Sequence, residues 1–426
     1  MPGKRLSIIG GGSPYVPGIL YSLAHSGRVL SGGEVVLMDT DPARLPMMTR
    51  LGQRMVEEAG MALTITRTTD LAEALKGASF VLSNFRPGGL EGLRLDETIP
   101  DKYDVLGQET TGPGGTAFAL RSVPQMLDLC QAMEGTCPDA WLINYVNPTN
   151  FVADAVRRKS TVKSIAICDG GGNELGYSLP EMLGVQQADL LVRAAGVNHH
   201  SWLMELRIAG DDGYPLLRRC AQQGKTGDFE AWALERYGVF PANGYYLNPY
   251  FNYEDALARF RSGRSLYHTF MRDLPEHWRN FEAMANGEAP VHMDTSKHHT
   301  DVGHGDLAVS IMLSIVGNET KQFHVNVPNE GAITNLPQGA IVEVPALVDA
   351  SGVRPLCMGE LPKGVLGLTQ TLVAWQELSV DAALSGDRNL VVQALLAHPW
   401  VRDAAQAERM CDELLAAHAD CLPQFR

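Results

Sequence analysis

A chain of 426 residues, 45% hydrophobic and 20% charged, has ample material for a large core and no long segment poor enough in apolar residues to stay disordered; its size favours two closely joined domains. The formal net charge of −14 opposes attraction to phosphate backbones and anionic bilayers, which excludes nucleic acid and membrane as general partners but leaves room for a local arginine pocket around a small anion. Seven cysteines, odd in number and scattered from Cys130 to Cys421 without zinc-type spacing, exclude a disulfide framework and a structural zinc site.

In chain order, Met1 to Arg5 runs into an apolar stretch too short for a secretory signal, and no later run approaches a membrane span, so a cytoplasmic protein is expected. Short β-type runs then alternate with helical stretches: Leu6–Ile9, Val35–Met38, Leu63–Thr66, Phe80–Leu82, Trp141–Ile143 and Ser164–Ile167. That alternation predicts a Rossmann-type, doubly wound parallel α/β sheet over residues 1–184, with ligands gathered at the strand C-termini. Beyond Gly184 the alternation gives way to a β-rich stretch, an aromatic segment (Phe240–Tyr253), a strand pair near Phe323–Val327 and Ile341–Val344, and helical patterns from Pro362. This reads as an α+β substrate-binding and oligomerisation domain over 185–426. No repeat or Ser/Gly linker separates the two, so a broad interface is expected.

The first run is followed by Gly10, Gly11, Gly12 and Ser13 and then a helix from Pro17, an arrangement in which phosphates can approach free backbone N–H groups. Tyr15 stands where the usual third glycine would be, so the turn by itself is divided evenly between a pyrophosphate site and a plain tight turn. Asp39, at the end of the second run, is placed to accept from ribose hydroxyls and to disfavour a 2′-phosphate, favouring NAD over NADP; its competing reading is a cap for the turn Asp39-Thr40-Asp41-Pro42. Asn84 and Asn147, each just past a strand, complete the cofactor-binding candidates.

Three segments, Phe85-Arg86-Pro87-Gly88-Gly89-Leu90, Asp96 through Tyr103 and Gly107 through Gly115, closely resemble the signature of glycoside hydrolase family 4. Further matches are Asn144–Pro148, Cys168-Asp169, Gly196–His199 and Asn329–Ile333 with Leu336-Pro337. The resemblance implies a lactate/malate dehydrogenase-like fold, bound NAD, a divalent metal such as manganese, and a homodimer or homotetramer. It also implies the chemistry. Oxidising the sugar C3 hydroxyl makes the C2 proton acidic; its removal expels the C1 oxygen, water adds, and NADH returns its hydride. A lactate-type 2-hydroxyacid dehydrogenase, consuming NAD, is the alternative.

By the same resemblance Cys168 and His199 are metal ligands, Asp169 is the acid at the leaving oxygen, and Tyr246, with Tyr245 as fallback, is the base at C2. Asn147 faces nicotinamide and substrate; Arg86, Arg94, Asn173, His199 and His304 are substrate contacts. The plain readings compete with these. Cys168 can be core, Asp169 can cap the turn Gly170–Gly172, the tyrosines can be packing, and His298, His299, His304 and Asp306 divide evenly between reading substrate hydroxyls or the C6 anion and a solvated or capping loop. Asn144–Pro148 and Cys168-Asp169 look most like the 6-phospho-α-glucosidase branch. However, Leu93 stands where the family has arginine, and Gly170 to Asn173 replace a Met-Pro-type segment. Small anionic α-glucosides bearing phosphate or, as in NAD-dependent sulfoquinovosidases, sulfonate at C6 are therefore both expected substrates.

Overall fold

A computed structural model of the chain describes residues 4–25, 30–293 and 305–425. Thirteen strands among them form one sheet: β1 (Arg5–Ile9), β2 (Gly33–Met38), β3 (Leu63–Thr68), β4 (Phe80–Ser83), β5 (Trp141–Asn144), β6 (Lys163–Ala166), β7 (Leu190–Val197), β8 (His200–Ile208), β9 (Asp211–Asp212), β10 (Phe240–Pro241), β11 (Lys321–Pro328), β12 (Ile341–Asp349) and β13 (Gly352–Pro355). The first six lie in the order β3-β2-β1-β4-β5-β6 and pair in parallel throughout. This is the doubly wound arrangement expected from the alternating runs, with its topological switch point between β1 and β4.

These strands are apolar runs rather than alternations because both faces are covered. Ile8, Leu82 and Ile143 pack with the helices Val16–His25 and Leu45–Glu58. Ile9, Val81 and Leu142, their neighbours in sequence, pack with Pro113–Thr136 and Thr149–Lys159 on the opposite face.

The second half extends the same sheet. β6 meets β11 at Ala166 and Asn326, β11 and β12 form an antiparallel pair, β12 meets β7 at Glu343 and Gly196, and β7 turns back into β8. The sheet thus crosses the expected boundary at Gly184, a left-handed C-cap with φ of +68°. The turn between β7 and β8 is short. Gly196 and Val197 belong to β7, whose last pair is Val197 with His200, so only Asn198 and His199 form the turn.

Much of the family-like signature is packing. Asp96 receives the Arg121 guanidinium at 2.8 and 2.6 Å, with both side chains fully buried, and this pair clamps Gly89–Asp101 against Pro113–Thr136. A Cβ on Gly107 would lie 2.0 Å from the Glu97 carbonyl oxygen, and one on Gly114 would lie 2.6 Å from that of Asp96. Glycine is therefore required for these chains to touch.

Candidate active site

Loops leaving β1, β2, β4, β5 and β6 open at one edge of the sheet, where the strand order reverses. The Gly10 and Gly11 N–H groups donate to the Met38 carbonyl at 2.9 and 2.7 Å, folding the turn against the end of β2. Gly10 has φ of +96°, and a Cβ there would stand 2.2 Å from the Asn84 carbonyl oxygen, so this position tolerates no side chain. Asp39 Oδ2 accepts from the Gly12 N–H at 2.8 Å while Oδ1 accepts from Asp41 N–H at 3.1 Å, so the carboxylate both faces the glycine turn and caps its own. Asn84 Nδ2 is buried with no hydrogen-bond partner among the described residues. Asn147 lies half-buried after β5, its Oδ1 accepting from Thr149 Oγ1 at 3.0 Å.

Cys168 follows β6, and His199 occupies the β7–β8 turn with φ of +60°, a left-handed conformation that a histidine adopts at some cost. Thirty-one residues apart in sequence, their Sγ and Nε2 atoms are 3.5 Å apart. Two ligands on one tetrahedral cation, with bonds of about 2.3 Å to sulfur and about 2.0 Å to nitrogen, would be separated by about 3.5 Å. The pair fits a shared metal. Burial pushes the Cys168 thiol up to about 12, with Glu343 adding and the Gly170 N–H and Asn198 side chain opposing. Burial also lowers His199, leaving a neutral imidazole able to ligate.

The Tyr246 ring lies against His199, with centroids 4.0 Å apart, and burial raises its phenol well above the ordinary value. A nearby positive charge must therefore reverse that shift before Tyr246 can act as a base. Asn243 aims this ring: its Oδ1 caps Tyr246 N–H at 3.4 Å and its Nδ2 donates to Glu174 at 2.9 Å. Tyr245, the fallback, is 67% exposed and stands perpendicular to Tyr246. Contact with His199 distinguishes the two. Asp169 is buried, and burial, then the Cys168 and Asp306 charges, hold its carboxyl well above the usual carboxylate range against a hydrogen bond from Tyr145. The shift favours the protonated form, the one that can give a proton to a leaving oxygen.

Several sequence expectations change. Asn173 donates to the Cys168 and His324 carbonyls at 3.0 and 2.9 Å and accepts from His324 N–H at 3.2 Å, so its amide braces the chain after Cys168 and is not available to substrate. Arg94 forks onto Glu91 at 2.8 and 2.5 Å on an exposed helix face, because one residue of helical rotation separates it from buried Leu93. Leu93 packs with Phe270 and Leu274. Arg86 is paired with buried Glu109 at 2.9 Å and lies over Phe118, its charge already balanced. His200, given no role from the sequence, packs edge-on between Trp202 and Tyr250 and is lowered to about 3 by burial, as befits neutral core. His298, His299 and His304 lie outside the described residues.

A cavity of about 230 Å³ adjoins Tyr246 and is lined by Glu97, Gln108, Arg259 and Arg264 among others. Arg259 is paired with Asp255 at 3.0 Å, whereas Arg264 has no ion pair among the described residues. Neither arginine was singled out in the sequence; their place just after the aromatic segment was the available signal. Glu97, buried, accepts from the Leu266 and Tyr267 N–H groups at 3.1 and 3.3 Å, yet burial raises it to about 7. Its folded pKa exceeds the free value of 4.5, so ionising it costs stability as pH rises through that interval. Glu97→Gln should match the unaltered protein near pH 4.5 and exceed it above pH 7 by up to about 3 kcal/mol. Urea unfolding at both pH values measures this, and a constant difference would refute the assignment.

Residues 5–174 match the family model described as Family 4 glycosyl hydrolase, and residues 194–401 match its C-terminal domain. A probable 6-phospho-beta-glucosidase of Bacillus subtilis is 30% identical, the alignment covering 99% of this chain and 98% of that one. The crystal structure of a 6-phospho-alpha-glucosidase from gut microorganisms, in complex with NAD and Mn2+, superimposes with a TM-score of 0.89 at 26% identity, covering 100% of both chains. Malate dehydrogenase of Plasmodium falciparum shares the fold alone, at 13% identity and a TM-score of 0.53 over 91% of this chain and 99% of that one.

Proposed function

Because the chain belongs to glycosyl hydrolase family 4 and is a glycosidase, we propose that it hydrolyses a small α-glucoside carrying an anionic group at C6, using NAD that is regenerated within each turnover. The observation that carries this reading is the meeting of Cys168, His199 and Tyr246, from three separate segments, beside an Asp169 that burial favours in its acid form.

The Gly10–Ser13 turn would hold the pyrophosphate, Asp39 the ribose hydroxyls, and Asn84 and Asn147 the nicotinamide end. Bound there, NAD supplies reversible hydride transfer at the sugar C3. Cys168 and His199 would hold the divalent cation, which supplies Lewis-acid polarisation of the sugar oxygens and the positive charge that Tyr246 needs. Tyr246 then takes the C2 proton at its phenolate oxygen. Asp169 gives its proton to the oxygen leaving C1.

The C6 anion is assigned to the cavity beside Tyr246, where Arg264 supplies a cation free of ion pairs among the described residues. Leu93 lies in an apolar cluster and Arg94 is paired with Glu91, so neither adds charge. A dianionic phosphate calls for more than one cationic partner, whereas a sulfonate is satisfied by one arginine and neutral donors. Both remain substrates of the proposal, with phosphate carried by the two glucosidase relatives and sulfonate by the reduced charge. Comparing kcat/KM for matched 4-nitrophenyl α-glucoside, 6-phospho-α-glucoside and α-sulfoquinovoside tests it. One charged substrate should exceed the uncharged one by at least about tenfold, and preference for the uncharged glucoside would defeat the anionic pocket. Among the described residues no helix is long and apolar enough to cross a membrane.

A further inference from the structure

Glu343 lies on β12 at the single pair that joins β12 to β7, opposite Gly196, and is 1% exposed. Its Oε1 accepts from Ser201 Oγ at 2.7 Å and from the Gly172 N–H at 3.4 Å, and its Oε2 accepts from Asn198 Nδ2 at 3.2 Å. The three donors flank the two ligand candidates. Gly172 is four residues after Cys168, Asn198 immediately precedes His199, and Ser201 follows it by two. The turn after Cys168 closes directly over the carboxylate, since a Cβ on Gly171, which has φ of +69°, would stand 2.1 Å from Oε1. Among the described residues the Glu343 carboxyl meets no lysine or arginine; its hydrogen bonds come from Ser201, Asn198 and the Gly172 N–H, as a buried polar group requires. Its hydrogen bonds tie the turn after Cys168 to the turn that carries His199, the two turns whose side chains meet at 3.5 Å.

We infer that Glu343 is a positioning residue, gripping the Cys168 turn and the His199 turn together at the spacing that one divalent cation requires. The inference rests on the metal reading given above. It concerns residues given no catalytic or cofactor-binding role above, and so it is separable from those assignments. Hydrogen-bond partners behind metal ligands characteristically control affinity by fixing ligand orientation.

Cobalt(II), titrated into the full chain with NAD present and followed by absorption, tests both layers. The unaltered protein should show a thiolate-to-cobalt charge-transfer band and visible ligand-field bands. Glu343→Gln preserves volume and the bond from Ser201 while removing the charge; it should bind cobalt at least about tenfold more weakly, with displaced ligand-field bands and unaltered NAD affinity. Ser201→Ala removes one grip on the His199 turn and leaves the carboxylate in place; it should weaken cobalt in the same direction. A folded Glu343→Gln protein with unaltered cobalt affinity and bands overturns the inference alone. Should Glu343→Gln fail to fold, unaltered cobalt binding by Ser201→Ala overturns it instead. Absence of the charge-transfer band in the unaltered protein overturns the metal reading, and the inference with it.

Discussion

Protein stripped of NAD should lose hydrolysis by a factor on the order of 10³ or more and recover it when NAD is restored in amounts equal to enzyme rather than to substrate. The reason lies in the groups that face one another. The C2 hydrogen of an unoxidised sugar is far too weak an acid for any side chain, and burial raises the Tyr246 phenol rather than sharpening it as a base. The acid candidate Asp169 directly follows Cys168, whose sulfur lies 3.5 Å from the His199 imidazole, an arrangement unlike the paired carboxylates of direct displacement. On the proposed route hydrolysis passes through a carbonyl at C3, which reversible oxidation by NAD would provide. Turnover in deuterium oxide should place deuterium at C2 of the released sugar without net accumulation of NADH. Full activity of the stripped protein, or a stoichiometric rise in absorbance at 340 nm, would instead indicate direct hydrolysis or an ordinary dehydrogenase.

Tyr246→Phe should reduce kcat by about 10² to 10⁴, the range expected for losing a positioned base, and should suppress C2 exchange to the same degree. The substitution removes one oxygen and keeps the ring that packs on His199 at 4.0 Å, so NAD affinity and thermal stability should change little. Tyr245→Phe, at an exposed ring, should leave exchange within about twofold of the unaltered rate. The contrast between these neighbours is the sensitive measurement. Equal loss in both variants, or full exchange in Tyr246→Phe, would move the base elsewhere. The acid limb of the same reaction can be followed with an activated aryl leaving group, whose departure needs little protonation. Asp169→Asn should then be impaired chiefly on poor leaving groups.

What could be read from the residues in order was local. Apolar runs buried on both faces announced the parallel strands, and those expected at Leu6–Ile9, Val35–Met38 and Phe80–Leu82 fall within β1, β2 and β4. The glycine turn after β1 was legible because only glycine permits Gly10 to pass the Asn84 carbonyl, a constraint written in the residue type. The Cys168-Asp169 pair could be located at a strand end, and His199 in a turn, by the same local rules together with the resemblance to family 4.

Tertiary structure decided the rest, because each remaining question depended on which distant atoms come together. Two adjacent tyrosines have the same propensity and the same chemistry; contact with His199 separates Tyr246 from exposed Tyr245. Arg94 and Leu93 differ by one position, but helical rotation turns the arginine onto Glu91 and the leucine into the core. Asn173 had free polar groups on paper; β11, arriving from about 150 residues away, uses them. Glu343 was silent in the sequence because its partners, Ser201, Asn198 and Gly172, are more than 140 residues distant and meet only where β12 joins β7. Hydrophobic periodicity and backbone sterics act over a few residues and so are visible in sequence. Sheet order between remote strands is settled by the packing of the whole chain, and it is this order that brings Cys168, His199, Tyr246 and Glu343 together.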